Sequence, residues 1–337
     1  MTVSMKEFNE FDFGQAEFSP RVLDRIAQEN LWNLWVPKSY GGLEMALPDG
    51  LRKLRELAKI DGSLGWTVTL CSGANFFIGN LQKPVADEIF KDQEKPICFG
   101  GSGGVFGVAE RVGDGYVLSG TWKYATGAPF LTHFTLNAKI RENGKDILQA
   151  DGSPLIRSFV IKKEEVRIIK DWNTVGLKAT ATDSFEVASK WVHAKYSFVY
   201  HDVHQPHAIF KIPFGPFADL TLWVNYIGMA DHFLEEAKEL IGSVEKLESL
   251  QKAIENADAA VIDFADRMHK KVAGGDRVPE AWIGDIHQKA TASVQSLARA
   301  IIEIFPGLGI RAASEGHCIN LVFRDFFTAT QHHIFRK

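Results

Sequence analysis

The sequence predicts an α+β fold in three consecutive parts: a helical N-terminal domain, a middle β-barrel or sandwich, and a C-terminal four-helix bundle. Apolar residues recur at helical spacing as far as about residue 90. Glycines and short β-rich runs then dominate, and four long amphipathic stretches follow. We therefore expect domains at residues 1–95, 96–205 and 206–337.

The N-terminal part is predicted to be helical because its apolar residues return every three or four positions. The repeating positions include Val22, Leu23 and Ile26, and later Leu51, Leu54 and Leu57. Proline and glycine interrupt this pattern at residues 37–42 and 48–50. We expect turns there, between short helices.

The middle part contains a hairpin signal that ends in a ring and a hydroxyl. Asp114 and Gly115 mark a tight turn, and the strand that follows is expected to end at Gly120. On an extended segment Tyr124 and Thr126 would point to the same side. A ring and a hydroxyl on one face suit a flat heteroaromatic ligand such as a flavin, and the alternative is a hairpin with an ordinary core tyrosine.

The C-terminal part is predicted to form the bundle because apolar and polar residues alternate there with helical period. Gly274 and Gly275, and the run PGLG at residues 306–309, separate the later helices. The four expected helices cover residues 220–241, 247–271, 280–305 and 314–334.

Composition favours a cytoplasmic enzyme. The 337 residues are 45% hydrophobic, and the net charge of -4 gives no electrostatic reason to expect nucleic acid or an anionic membrane as a partner. The first residues read MTVSMKEF, which has no apolar signal core, and no stretch is long and apolar enough to span a bilayer. We expect neither membrane nor nucleic-acid binding.

Neither cysteines nor histidines predict a metal site. The three cysteines, at positions 71, 98 and 318, are too widely spaced for a zinc site and give no disulfide framework. Histidines at positions 201, 204 and 207 have metal-like spacing but lie in a proline-containing linker without nearby carboxylates. A solvated or substrate-edge loop is the expectation there.

Four further segments, taken in order, resemble the acyl-CoA dehydrogenase superfamily. Residues 36–42 read VPKSYGG, and residues 57–66 read LAKIDGSLGW. Residues 171–180 read DWNTVGLKAT, and residues 324–333 read RDFFTATQHH. The resemblance implies the three-part fold, a flavin between the β-domain and the bundle, and a homodimer or homotetramer assembled through the bundle.

The same resemblance implies which residues contact the flavin. Tyr124 and Ala125 correspond to the segment that packs against the ring, with Tyr124 in the place of the usual Trp and Trp122 as the alternative stacking residue. The Thr126 hydroxyl would bond near flavin N5. Gly101 and Ser102, in the run FGGSGG at residues 99–104, take the place of the first flavin-binding loop. A flexible glycine loop without a ligand is the alternative.

Other site residues also rest on the resemblance. Trp172 and Arg324 would contact the cofactor, although Arg324 and Asp325 would equally suit a structural ion pair at a helix start. Asn75 and Phe76 lie where the superfamily lines its substrate pocket. Because the adenosine-side motifs are not recognisable, the cofactor could be FAD or reduced FMN.

The last predicted helix favours one chemistry. Acyl-CoA dehydrogenases need a carboxylate base, yet residues 329–334 read ATQHHI and contain no acid. This segment resembles two-component flavin monooxygenases, which take reduced flavin from a separate reductase and hydroxylate aromatic or apolar small molecules through a C4a-hydroperoxide. On one continuous helix His332 would share a face with Arg324 and Thr328, and an imidazole titrating near neutral pH would serve as acid or base.

Three alternatives stay open from the sequence. His332 could be an exposed histidine stabilised by the helix dipole. The protein could be an acyl-CoA dehydrogenase whose base comes from another helix, which an Asp or Glu at the flavin face would reveal. It could also be a non-catalytic binding protein on the same fold, which would bind no flavin.

Overall fold

The computed structural model describes residues 8, 11, 13–241 and 244–335. Four helices come first: α1 (Pro20–Gln28), α2 (Leu47–Ile60), α3 (Gly62–Asn75) and α4 (Lys83–Phe90). Eight strands follow: β1 (Phe99–Val112), β2 (Gly115–Ala125), β3 (His133–Glu142), β4 (Lys145–Asp146), β5 (Ile156–Lys162), β6 (Arg167–Ile169), β7 (Asp183–His193) and β8 (Ser197–Phe198). The last helices are α5 (Phe214–Leu240), α6 (Glu248–Ala273), α7 (Glu280–Ile304) and α8 (Cys318–Ala329). The predicted order of helices, strands and helices is confirmed.

The strands form one mixed sheet in the order β6-β7-β2-β1-β3-β5-β8, with β4 paired to β3. The pairing of β1 with β3 is parallel, and the other pairings are antiparallel. The prediction that a strand ends at Gly120 is wrong. Gly120 pairs with Gly107 on one side and Val187 on the other, so hydrogen bonding to two neighbours carries β2 through it to Ala125.

The glycine run at residues 99–104 is not the predicted loop, because it forms the first part of β1. A register shift follows Ser102, so this part of the strand is irregular. Gly101 has φ +155°, and a Cβ there would lie 1.8 Å from the carbonyl oxygen of Thr135. A side chain would therefore push β1 away from β3.

Helix α5 links the two helical parts. Its 27 residues are apolar on almost every side, and it packs against α2, α3, α6, α7 and α8. Trp223, Tyr226 and Phe233 are fully buried along it. Burial on several faces explains why α5 has no polar stripe. The domain bounds 1–95, 96–205 and 206–337 stay a prediction.

The last helix is shorter than predicted, because α8 ends at Ala329. The N–H of Thr330 donates to Phe326 O, but that of His332 donates to Ala329 O, three residues back. The Thr330 hydroxyl also donates to Phe327 O at 2.7 Å, which satisfies a carbonyl of the last turn. His332 therefore lies beyond the helix and does not share its face.

Asn75 joins three segments of the core at the end of α3. Its Nδ2 donates to Trp32 O at 2.9 Å and to Ile97 O at 2.8 Å, and its Oδ1 accepts from the N–H of Phe99 at 2.7 Å. The side chain is fully buried. These bonds fix α3 against the start of β1.

Asp325 occupies a second junction, and it forms no helix-start ion pair with Arg324. It lies within α8, and its Oδ1 accepts from the N–H of Leu177 at 2.5 Å. Burial and the nearby Asp61 carboxylate raise the pKa of Asp325 to about 8. Burial raises the pKa of Asp61 to about 6, although its side chain accepts from the N–H of Leu64 at the start of α3.

We expect Asn75→Ala to lower the free energy of unfolding by about 1–3 kcal/mol or more, because the buried carbonyls and the Phe99 N–H lose their partner. Urea unfolding measures the loss. Gln251→Ala, on the exposed face of α6, should change stability by less than about 0.5 kcal/mol. Equal stability of Asn75→Ala and wild type would contradict the structural role.

Asp325→Asn should make stability less dependent on pH. Because the pKa is about 8 when folded and near 3.8 otherwise, the folded protein keeps a proton that the unfolded chain releases. The wild-type free energy of unfolding should therefore fall as pH rises through this window. The substituted amide keeps the oxygen that accepts from Leu177. Relative to wild type, the free energy of unfolding of the variant should rise by about 3 kcal/mol between about pH 5.5 and about pH 8.5, because each pH unit below the folded pKa contributes about 1.4 kcal/mol.

Urea unfolding of wild type, Asp325→Asn and the control Asp266→Asn, at an exposed site on α6, measures this difference. The control should follow wild type at both pH values. If Asp325→Asn is destabilised by the same amount at both pH values, the carboxyl is not protonated in the fold.

Candidate active site

A cavity of about 310 Å³ lies between α3, the sheet, the start of α5 and the segment after α8. Four of the predicted site residues line it together: Gly101, Ser102, Thr126 and His332. Its volume is at the lower end of the usual range for ligand pockets, roughly 300–1,000 Å³. The cavity can hold a ring system, and a larger ligand would extend outside it.

Aromatic side chains form the apolar wall of this cavity. Phe77, which follows α3, stacks on Tyr200 with ring centroids 4.9 Å apart and an angle of 16°. Phe214 lies 4.7 Å from Phe77 and 5.1 Å from Tyr200. Such a wall suits a flat apolar ligand.

A polar cluster on the sheet faces the aromatic wall, and the sequence reasoning missed it. Asn137 donates to Gly103 O at 2.8 Å and to the Tyr200 hydroxyl at 3.2 Å, and Ser158 donates to Asn137 Oδ1 at 2.6 Å. Burial raises the pKa of Tyr200, so its hydroxyl stays protonated. Asn137 belongs to the polar set of the β3 alternation, between Leu136 and Ala138, so the sequence pattern gave no separate signal for it.

Thr126 lies just past β2 with its hydroxyl buried. Its Oγ1 is 3.0 Å from Thr182 Oγ1, and the side chain is 4% exposed. Tyr124, by contrast, is 65% exposed and has φ 67°, within a register shift between Trp122 and Ala125. The prediction that Tyr124 and Thr126 point to the same side is therefore wrong, because the left-handed residue breaks the alternation. Ala125 is fully buried.

His332 is half-buried, and its ring contacts Trp66 edge-on with centroids 5.6 Å apart. Burial, together with His333, lowers the pKa of His332 to about 4. The prediction of an imidazole that titrates near neutral pH is thus wrong. Nδ1 accepts from the N–H of Ile334 at 3.4 Å, which assigns the proton of the neutral ring to Nε2. His332 is neither fully exposed nor inside the last helix turn, and His333 also lines the cavity.

The remaining predicted residues bond to the protein itself. Trp172 Nε1 donates to Leu177 O at 2.9 Å. Arg324 donates to Val175 O and Glu315 O, each at 3.2 Å. A cofactor role for Trp172, Arg324 or Tyr124 stays a prediction.

Asn75 and Phe76 lie behind the cavity, whereas their neighbours Ala74 and Phe77 line it. The Asn75 amide is occupied by the backbone bonds described above, and Phe76 stacks on Phe217 with centroids 4.1 Å apart. Neither side chain is placed to contact a ligand, which corrects the sequence expectation. Their place in the core follows from partners that are distant in sequence.

The cavity fits a flavin ring by its chemistry. Gly103 lines it, and a Cβ there would project into open space with no atom within 4 Å. The backbone can therefore lie close to a ligand, with the Thr126 hydroxyl and the His332 ring on the same cavity.

Metal and membrane features are absent from the described residues. No three of their His, Cys, Asp or Glu side chains are grouped so as to hold a metal ion. Among the same residues no helix combines the length and apolar character needed to cross a bilayer.

Comparison with known proteins shows similarities in sequence and in fold. The family model for the acyl-CoA dehydrogenase C-terminal domain matches residues 238–337. An indole-3-acetate monooxygenase of Acinetobacter baumannii is 28% identical over 242 residues, which cover 68% of this chain and 57% of that protein. The oxygenase subunit of the flavin-dependent monooxygenase HsaA from Rhodococcus jostii is 22% identical, over 61% of this chain and 54% of that protein. The aligned region thus spans little more than half of each relative.

The solved structure of XiaF from Streptomyces sp., in complex with FADH2 and glycerol, has the same fold. Its TM-score is 0.85 at 20% identity, over 98% of this chain and 87% of that one. In its C-terminal 100 residues the chain resembles the acyl-CoA dehydrogenase family, and over its matched length it resembles flavin-dependent monooxygenases.

Proposed function

We propose that this protein is the oxygenase component of a two-component flavin monooxygenase that hydroxylates an aromatic small molecule. One observation carries the proposal: among the described residues that line the cavity, none is Asp or Glu. A thioester dehydrogenase needs such a base, whereas an oxygenase does not. The aromatic wall, the Thr126 hydroxyl and the His332 ring support the same conclusion.

Reduced flavin, when bound, supplies the oxygen-activating chemistry. The residues of this chain bind and orient the reactants. Phe77, Phe214 and Tyr200 exclude water and hold a flat substrate, and Tyr200 and Asn137 offer hydrogen bonds to a polar substituent on it. His332 would offer its Nε2–H as a hydrogen-bond donor to a ligand in the cavity.

The relatives that are oxygenase components support a separate reductase as partner, and the cofactor is proposed to be reduced FAD or reduced FMN. A reductase in the same compartment, proposed to be the cytoplasm, would limit loss of reduced flavin to oxygen. We propose a homodimer or homotetramer, because Ile302 and Ile310, near the end of α7, are 53% and 87% exposed.

The function is tested with labelled oxygen. Protein, reduced FAD or FMN, ¹⁸O₂ and a panel of aromatic substrates that includes indole-3-acetate should give a product that contains one ¹⁸O atom. Heat-inactivated protein is the control. If acyl-CoA thioesters instead bleach bound oxidised flavin without oxygen, the dehydrogenase alternative is correct.

His332→Ala should reduce product formation by roughly 100- to 10,000-fold, the usual range for a group that moves or holds a proton. Reduced-flavin binding should be retained. His332→Gln, which keeps an N–H donor, should be less impaired, and His201→Ala, at an exposed position, should match wild type.

The pH profile tests the state of the His332 ring. Since its pKa is about 4, the imidazole gains charge only as pH falls through that value. The pH profile of wild-type activity should therefore have no step near pH 6.5 that disappears in His332→Gln. Such a step, or full activity of His332→Ala, would contradict the assignment.

A further inference from the structure

Three buried threonine hydroxyls form a chain that leads from a backbone carbonyl to the cavity. Thr180 Oγ1 lies 2.8 Å from Leu177 O and 2.8 Å from Thr182 Oγ1, which in turn lies 3.0 Å from Thr126 Oγ1. Thr180 is fully buried, and Thr182 and Thr126 are 7% and 4% exposed. Water therefore has little access to this chain.

The carbonyl at one end fixes the direction of every hydrogen in the chain. Each hydroxyl has a single hydrogen, and Leu177 O can only accept, so Thr180 donates to it. Two oxygens 2.8 Å apart need a hydrogen between them, and Thr182 must supply the one that points to Thr180. Thr126 must then donate to Thr182. Its Oγ1 retains lone pairs but has no hydrogen for the cavity.

The segment around Leu177 holds this anchor in place. Trp172 Nε1 also donates to Leu177 O at 2.9 Å, and the N–H of Leu177 donates to Asp325. The Asp183 carboxylate accepts from the N–H groups of Asp171 and Trp172, each at 3.0 Å. The carbonyl cannot turn away without breaking several bonds at once.

We propose that Thr180 and Thr182 make Thr126 an obligate acceptor, and that the site thereby selects reduced over oxidised flavin. This inference rests on the proposed function, in which flavin occupies the cavity. Reduced flavin carries a hydrogen on N5, which an acceptor can bind. In oxidised flavin N5 has only a lone pair, so that it and Thr126 Oγ1 repel each other. Thr180 and Thr182 are positioning residues that act through Thr126.

The test compares the dissociation constants of reduced and oxidised flavin, measured without oxygen for the full protein. Wild type should bind reduced flavin more tightly. Thr182→Val is close in shape but frees the Thr126 hydrogen, so that Thr126 can donate to oxidised N5. The ratio of the two dissociation constants should fall roughly 10-fold or more, the effect of one buried hydrogen bond.

Thr182→Ser is the matched control, because it keeps the hydroxyl and should keep the wild-type ratio. Thr180→Val tests the other end of the chain and should also lower the ratio, even if Thr182→Val does not fold. Thr126→Val should weaken binding of reduced flavin.

Several results would overturn the inference. One is an unchanged ratio in both valine variants, and another is an equal fall in Thr182→Ser and Thr182→Val, which would indicate a packing effect. If wild type incorporates ¹⁸O into product while the ratio is insensitive to Thr182, only this inference fails. If wild type binds neither form of flavin, the proposed function fails together with it.

Discussion

The peptide unit of Leu177 is the constraint on which the site depends. Its N–H donates to Asp325 in the last helix, and its carbonyl accepts from Thr180 and Trp172. Leu177 thus helps to join the bundle to the segment before β7, and it has a left-handed φ of 51°. The position of the Thr126 hydroxyl at the cavity depends on this junction.

The junction also places two buried acids beside the candidate active site. Asp325 lies near Asp61, and the two carboxyls share an interior with little access to water. Asp61 at the same time begins α3, whose later turns line the cavity. The N-terminal helices, the last helix and the cavity are therefore coupled by a few polar contacts inside an apolar core.

The order of elements could be predicted from the sequence because it depends on local periodicity. The ends of elements could not, since they depend on distant partners. The glycines at residues 99–104 read as a loop, but pairing with β3 makes them a strand. His332 reads as helical, but α8 ends at Ala329 and leaves His332 at the cavity, where burial keeps its ring neutral. Local sequence signals predicted Thr126 as a site residue. Tyr200 could not be predicted in this way, because its place in the site depends on contact with Asn137, 63 residues away in sequence.

The central claim is that flavin binds with its N5 edge against Thr126. A crystal structure of the protein with reduced FAD or FMN, prepared without oxygen, tests it most directly. N5 should lie about 2.7–3.2 Å from Thr126 Oγ1, with the His332 ring on the same cavity. A flavin bound elsewhere, or one whose N5 faces away from Thr126, would contradict the account.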